Sequence, residues 1–238
     1  ETCMINNDLD FEGYRIDLAK QTRVQIPDFL QLPAAERLRS CLQNEVPWSL
    51  AERSDGTPKT IAADDYAVMD SQARAAILQK AYVRAKTEFQ FCYESYMMVK
   101  AAKEGRDPGL ILHAILEFLN SEEFIGFARW LANDPRISHA SAQATRYRPG
   151  HFLTRHQDKE KNEDRAYAYV INLTKNWQAD WGGLLQFEND QGDVTQTFVP
   201  HWNSLSLFKV PQSHTVSLVA PYATEDRLAI TGWLLRPM

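Results

Sequence analysis

The chain has 238 residues, 44% of them hydrophobic and 24% charged, an ordinary balance for a globular protein with one substantial core. A formal charge of −5 gives no bulk attraction to nucleic acid or to an anionic membrane, so sequence-independent nucleic-acid binding is not expected. Cys3, Cys41 and Cys92 are few, odd in number and free of any C-x-x-C pattern, and no apolar run approaches the roughly 20 residues that span a bilayer; the expectation is a cytoplasmic protein without disulfide framework or zinc ribbon.

Taken in order, Thr22 to Ile26 alternates polar and apolar residues and ends at Pro27, which reads as an early strand. Pro33 suits a first helical turn, with Leu38, Cys41 and Leu42 following at helical spacing. Residues 48 to 70, broken by Asp55-Gly56 and Pro58, suggest strand fragments and turns rather than another helix. Asp70 or Ser71 can cap a long helix continuing to about Lys103, with a stripe of Ile77, Ala81, Ala85, Phe89, Cys92 and Tyr96. Two further helices are expected after Asp107-Pro108 and after Asn120-Ser121, closed by Asp134-Pro135.

From Ser141 the texture changes to short β-rich segments between turn residues. Strands are expected near 143–148, 151–156, 165–173, 183–188, 194–199, 204–209, 213–219 and 226–235. Eight such strands suit a double-sheet jelly roll. The whole reads as an α+β chain of one domain over 1–238: mainly helical support with an early strand over 1–140, and the jelly-roll core over 141–238.

The chemistry concentrates in Tyr147-Arg-Pro-Gly-His-Phe-Leu-Thr-Arg-His-Gln-Asp158. In an extended backbone residues i and i+2 share a face, so His156 and Asp158 can reach one ion while Gln157 points away. Two ligands are too few for a redox metal, and His214, on a later strand-like stretch, is the best third donor. Two imidazoles and one carboxylate with open positions opposite suit a non-haem iron(II) oxygenase. Arg227 lies in an otherwise apolar strand, where a guanidinium needs an anionic partner, and its fork matches a carboxylate. Singly, each residue has a plainer reading: His156 or Asp158 as surface strand residues, Arg227 as a salt-bridge partner, Tyr147 as a strand aromatic. His113, His139, His151 and His201 read as structural, and Trp177, Trp202 and Trp233 as core or pocket wall. Arg146, Arg148 and Arg155 would be a solvated face, or contact a polypeptide if they lie at the mouth. No G-x-S-x-G, phosphate-binding G-x-x-x-x-G-K or Rossmann glycine pattern occurs.

Tyr147-x-Pro-Gly-x-Phe-Leu-x-x-His-x-Asp, then Ile171-Asn-Leu, Trp181-Gly-Gly-x-Leu, Asn203-Ser-Leu, His214 and Arg227-x-x-Ile-x-Gly-Trp resemble the iron(II)- and 2-oxoglutarate-dependent oxygenases, most closely their prolyl-hydroxylase-like branch. The resemblance spans roughly residues 143 to 236. It implies a double-stranded β-helix (jelly roll) with an N-terminal layer of helices. It also implies Fe(II) held by His156, Asp158 and His214, with 2-oxoglutarate and dioxygen as co-substrates and ascorbate as a possible reductant. The far carboxylate of 2-oxoglutarate would pair with Arg227, and Tyr147 would hydrogen-bond the same co-substrate. The retained Asp158 speaks against a halogenase, in which a small residue vacates that position for chloride. The implied activity is hydroxylation of a prolyl residue in a protein or peptide, with 2-oxoglutarate decarboxylated to succinate. The alternatives are hydroxylation of a free amino acid or other small molecule, and a jelly-roll module that binds without catalysis.

Overall fold

Local chemistry sets the helix starts. In a computed structural model that describes residues 3–238, Asp10 accepts the Glu12 amide at 3.1 Å and caps α1 (Phe11–Gln21). This helix buries only Leu18 fully, which is why no apolar stripe announces it. β1 (Arg23–Ile26) and α2 (Leu32–Asn44) follow as expected, with Ala35, Leu38, Cys41 and Leu42 on the buried face of α2. β2 (Ser49–Ser54) and β3 (Thr57–Ile61) form a hairpin about Asp55-Gly56. The short α3 (Ala63–Val68), not expected from the sequence, carries Asp64 and Asp65 in its first turn, where acidic groups complement the helix dipole, and buries Tyr66.

The long helix expected over 71–103 is instead two helices with a strand between them. Asp70 accepts the Ala73 amide at 2.8 Å and caps α4 (Ser71–Ala85); the chain then extends as β4 (Phe91–Tyr96) before α5 (Met98–Glu104). Two periods overlap here. Ala81, Ala85, Phe89 and Cys92 recur at helical spacing, but Phe89, Phe91 and Tyr93 also alternate, and non-local partners decide between them. β4 finds three: β2 and two strands of the second half. α6 (Leu112–Leu119) and α7 (Glu122–Ala132) complete the helical layer as expected.

All eight strands expected after Ser141 are present to within a few residues, preceded by the short β5 (His139–Ala140). They are β6 (Gln143–Tyr147), β7 (Phe152–His156), β8 (Asp164–Asn172), β9 (Leu185–Glu188), β10 (Val194–Phe198), β11 (Ser204–Lys209), β12 (His214–Val216) and β13 (Arg227–Arg236). The antiparallel path runs β1-β11-β8-β13-β6-β4-β7-β12-β9-β10. It rolls up so that β6, β8 and β13 face β7, β9 and β12 across one cavity, which is the jelly-roll arrangement. The first half therefore supplies more than helices: β4 closes the roll between β6 and β7. The main core lies outside the roll, where Phe29, Leu38, Leu42, Phe124 and Leu119 join the helices to the outer face of the β1-to-β6 wall. No helix among the described residues is long and apolar enough to cross a membrane.

Asn203 ties the two halves together. At φ 52° it donates Nδ2 to the Leu30 carbonyl at 2.7 Å and accepts the Leu30 amide at 3.0 Å, both partners being buried. Asn203→Ala would leave two buried backbone groups unsatisfied, and a loss of about 2–3 kcal/mol is expected in urea unfolding.

Candidate metal and co-substrate site

β7 ends at His156, and the chain leaves it through Gln157 into Asp158. The i, i+2 rule for a continuous strand does not bring these two side chains together. Asp158 takes a left-handed backbone, φ 58°, which aspartate tolerates better than most residues. The carboxylate is thereby turned back between two imidazoles: His156 Nε2 is 3.3 Å from Oδ1 and His214 Nε2 is 3.3 Å from Oδ2. His214 arrives by strand pairing, since it opens β12 directly opposite His156. The three residues each offer a ligand atom, all within 4.8 Å of one another, and together could hold one metal ion.

The imidazole tautomers are set from behind. His156 Nδ1 faces the Thr154 carbonyl at 2.9 Å and His214 Nδ1 faces the Gln212 carbonyl at 2.8 Å. A carbonyl accepts only, so each Nδ1 carries a proton, which leaves Nε2 as the nitrogen that would give its lone pair to a metal and, without one, the nitrogen that faces the Asp158 carboxylate. Phe208 packs edge-on to His214 at 4.7 Å and Phe89 lies 5.6 Å from His156, restricting water around the ligands. Burial works to raise the Asp158 pKa, but hydrogen bonds and charge from the two imidazoles outweigh it and hold the carboxyl well below its usual range. It is thus an anion, as metal binding requires.

Arg227 begins β13 beside Tyr147 in register. It is 2% exposed, and its Nε has no hydrogen-bond partner. No carboxylate among the described residues lies within ion-pair distance of it. The Tyr147 ring lies under it, its centre 5.1 Å from Cζ. Burial lowers its pKa and raises that of Tyr147. A buried guanidinium without an acid is costly unless a ligand supplies the anion. That orphaned cation, in the same cavity of about 230 Å³ as the His-Asp-His cluster, fits a small carboxylate that reaches from the metal to the arginine. The residues present therefore suit both groups, iron(II) and 2-oxoglutarate.

Gly183 makes room for that guanidinium. At φ +61° a Cβ there would sit 3.1 Å from Arg227 Cδ and 3.2 Å from both Trp177 and Val219. Gly183→Ala is expected to displace the arginine and weaken 2-oxoglutarate binding roughly tenfold. Isothermal titration would measure the loss, and unchanged affinity would refute it.

All five residues singled out from the sequence, His156, Asp158, His214, Arg227 and Tyr147, line this one cavity. Others escaped notice. Tyr93 stacks on Tyr147 at 4.9 Å with ring planes 9° apart, and was hidden because its strand was read as helix. Arg165 lies with Cζ 3.6 Å from the centre of the Trp233 ring; it donates to the Asp158 carbonyl at 3.2 Å and to Glu163 at 2.8 Å. Only a charge inside the β8 pattern hinted at it. Arg146 and Arg148 are not at this mouth; they pair with acids on the opposite face of the sheet. Arg155 pairs with Glu188 at 3.4 Å.

His151 is structural, as expected. Its Nδ1 accepts the Arg148 amide at 3.1 Å, and burial lowers its pKa to about 4. The unfolded chain takes up a proton near pH 6.5 that the fold refuses. Stability is therefore full above pH 6.5 and falls as the pH drops from there towards 4, by about 3 kcal/mol over that window. His151→Asn should flatten this part of the urea-stability curve relative to wild type.

Residues 142–235 match the family model of the 2OG-Fe(II) oxygenase superfamily. A curated relative, "Prolyl 3-hydroxylase OGFOD1" of Mus musculus, is 32% identical over 127 residues, which are 48% of this chain and 22% of that protein. The match thus covers about a fifth of the relative's length. Among solved structures, a Pseudomonas putida prolyl-4-hydroxylase aligns over 96% of this chain and 100% of its own, at 19% identity and TM-score 0.58. A Trichoplax adhaerens prolyl hydroxylase, solved in complex with a hypoxia inducible factor peptide fragment, aligns over 95% and 89% at 16% identity and TM-score 0.63. These two establish the fold. Residues 142–235, the stretch that matches the superfamily model, hold the His-Asp-His cluster and the unpaired arginine that shares its cavity, so the sequence similarity and the site fall on the same part of the chain.

Proposed function

We propose that the protein is an iron(II)- and 2-oxoglutarate-dependent dioxygenase that hydroxylates a prolyl residue within a protein or peptide. The observation that carries the reading is the solitary buried Arg227 sharing one cavity with three convergent metal-ligand atoms. His156, Asp158 and His214 would hold the metal, and Arg227 would take the distal carboxylate of 2-oxoglutarate beside Tyr147. With both groups bound, the metal would supply oxygen activation coupled to decarboxylation of the co-substrate to succinate. The chain's part is to orient and to exclude water: two carbonyls fix the imidazoles, Phe89 and Phe208 shield them, and Tyr93 walls the Arg227 end beside Tyr147.

The lining favours a residue embedded in a polypeptide over a free amino acid. A zwitterion needs a free cation and a free anion, and the cavity has neither to spare. Asp158 faces the imidazoles, Arg227 is needed by the co-substrate, and Arg165 is already committed to Glu163, the Asp158 carbonyl and Trp233. The Trp233 and Phe89 rings offer apolar surface suited to an uncharged ring such as that of proline. The named relatives are prolyl hydroxylases, which supports the same substrate class.

The test is incubation with iron(II), ascorbate, 2-oxoglutarate and a library of proline-containing peptides, following succinate and a gain of one oxygen by mass spectrometry. Succinate formation stimulated by a peptide that gains oxygen on proline is the expected result. Turnover of free proline alone would support the small-molecule alternative, and no iron-dependent turnover with any substrate would support a binding module.

A further inference from the structure

Behind the cavity, on the outer face of the same strands, lies a group of four charges gathered around the buried Glu94 that the chemistry above does not use. Glu94 is fully buried; it accepts the Tyr66 hydroxyl at 2.7 Å and a hydrogen bond from Arg146 Nε, with Arg148 Nη1 at 3.8 Å. Asp226 stands 4.0 Å from both Arg146 and Arg148. The Trp48 ring covers Arg146, 5.0 Å from its Cζ. Two acids and two bases make the group neutral. Ion pairs that centre on a buried acid and run out to a partly exposed rim add little net stability, because desolvation and solvent screening offset most of the attraction; what they can enforce is geometry.

Its members occupy particular places in the chain. Glu94 follows Tyr93, Arg146 and Arg148 flank Tyr147, and Asp226 precedes Arg227. Side chains alternate across a strand, so each residue walling the Arg227 end of the cavity has a covalent neighbour in the charge group on the other face. The register is direct, Glu94 opposite Arg146 and Tyr147 opposite Arg227. The group thus spans β4, β6 and the entry to β13, the three strands that present Tyr93, Tyr147 and Arg227.

We infer that Glu94, Arg146, Arg148 and Asp226 are positioning residues for the co-substrate: by locking these three strand ends together they set where the guanidinium and the two stacked tyrosines meet the distal carboxylate of 2-oxoglutarate. The metal ligands stand on β7, just beyond it, and on β12, outside the group's reach, so co-substrate affinity and metal affinity are separable. The inference rests on the reading that this cavity binds 2-oxoglutarate.

The experiment compares wild type with Glu94→Gln, Asp226→Asn and Asp226→Glu, all carrying Mn(II) so that no turnover occurs. Equilibrium dialysis measures the Kd of 2-oxoglutarate, metal competition the Kd of Mn(II), and thermal unfolding the Tm. Glu94→Gln is expected to weaken 2-oxoglutarate about tenfold and Asp226→Asn about threefold, with Mn(II) affinity within about twofold of wild type. Asp226→Glu, which keeps the charge, should bind as wild type does. If Glu94→Gln does not fold, the Asp226 pair decides, since that side chain is one-third exposed. The inference is overturned if folded variants bind 2-oxoglutarate as wild type does, or if both affinities fall in parallel. Failure of the wild type itself to bind 2-oxoglutarate would instead overturn the parent reading.

Discussion

Arg227→Met is expected to leave the fold as stable as wild type, or more stable by about 1–3 kcal/mol, while removing nearly all co-substrate binding. The opposite signs have one cause. The guanidinium is buried, its Nε lacks a partner and burial already depresses its pKa. An apolar side chain of similar length relieves that desolvation in the empty protein, yet leaves the distal carboxylate of 2-oxoglutarate without its counter-charge. A KM for 2-oxoglutarate raised by roughly 10²–10³-fold follows from truncating one half of a buried charge pair. Arg227→Lys should fall between, because an ammonium replaces the planar fork with a point charge. Urea unfolding and succinate formation on the same samples check both signs. A clearly destabilised Met variant would mean that the arginine serves the fold rather than a ligand.

Asp158→Ala is expected to lower turnover by roughly 10³-fold or more, because two neutral imidazoles cannot match a divalent cation that a facial carboxylate also grips. The variant also places alanine at φ 58°, a conformation costing about 1–2 kcal/mol outside glycine, asparagine and aspartate. Asp158→Asn separates the two effects. It tolerates the turn and keeps the volume but removes the charge, so its stability should stay near wild type while metal affinity still drops. Metal content after dialysis, read beside succinate formation, distinguishes them. An Asp158→Asn protein that held iron and turned over as wild type does would sink the assignment of this carboxylate.

The lesson about legibility differs between the two halves of the chain. From Ser141 onward, alternating β-formers between turn residues marked all eight main strands, because each signal is local: period two and the punctuation of Pro149-Gly150, Gly182-Gly183 and Pro200. His156, Asp158, His214 and Arg227 were legible for a chemical reason, since polar groups of those types inside apolar strands need partners. Before residue 141 the signals conflicted. Phe89 to Tyr96 satisfied a helical and a strand period at once, and only pairing with β2, β6 and β7 selected the strand. With the strand went Tyr93 and the outer Glu94, both invisible in a helical reading.

Sequence by itself therefore determined which residues could bind a metal and an oxo-acid, because side-chain chemistry is carried by residue type. Tertiary structure decided how they meet. The left-handed turn at Asp158 and the register that sets His214 opposite His156 bring ligand atoms from two separate strands within 4.8 Å of one another. Such distances follow from non-local hydrogen bonds between strands, and spacing along the chain does not encode them.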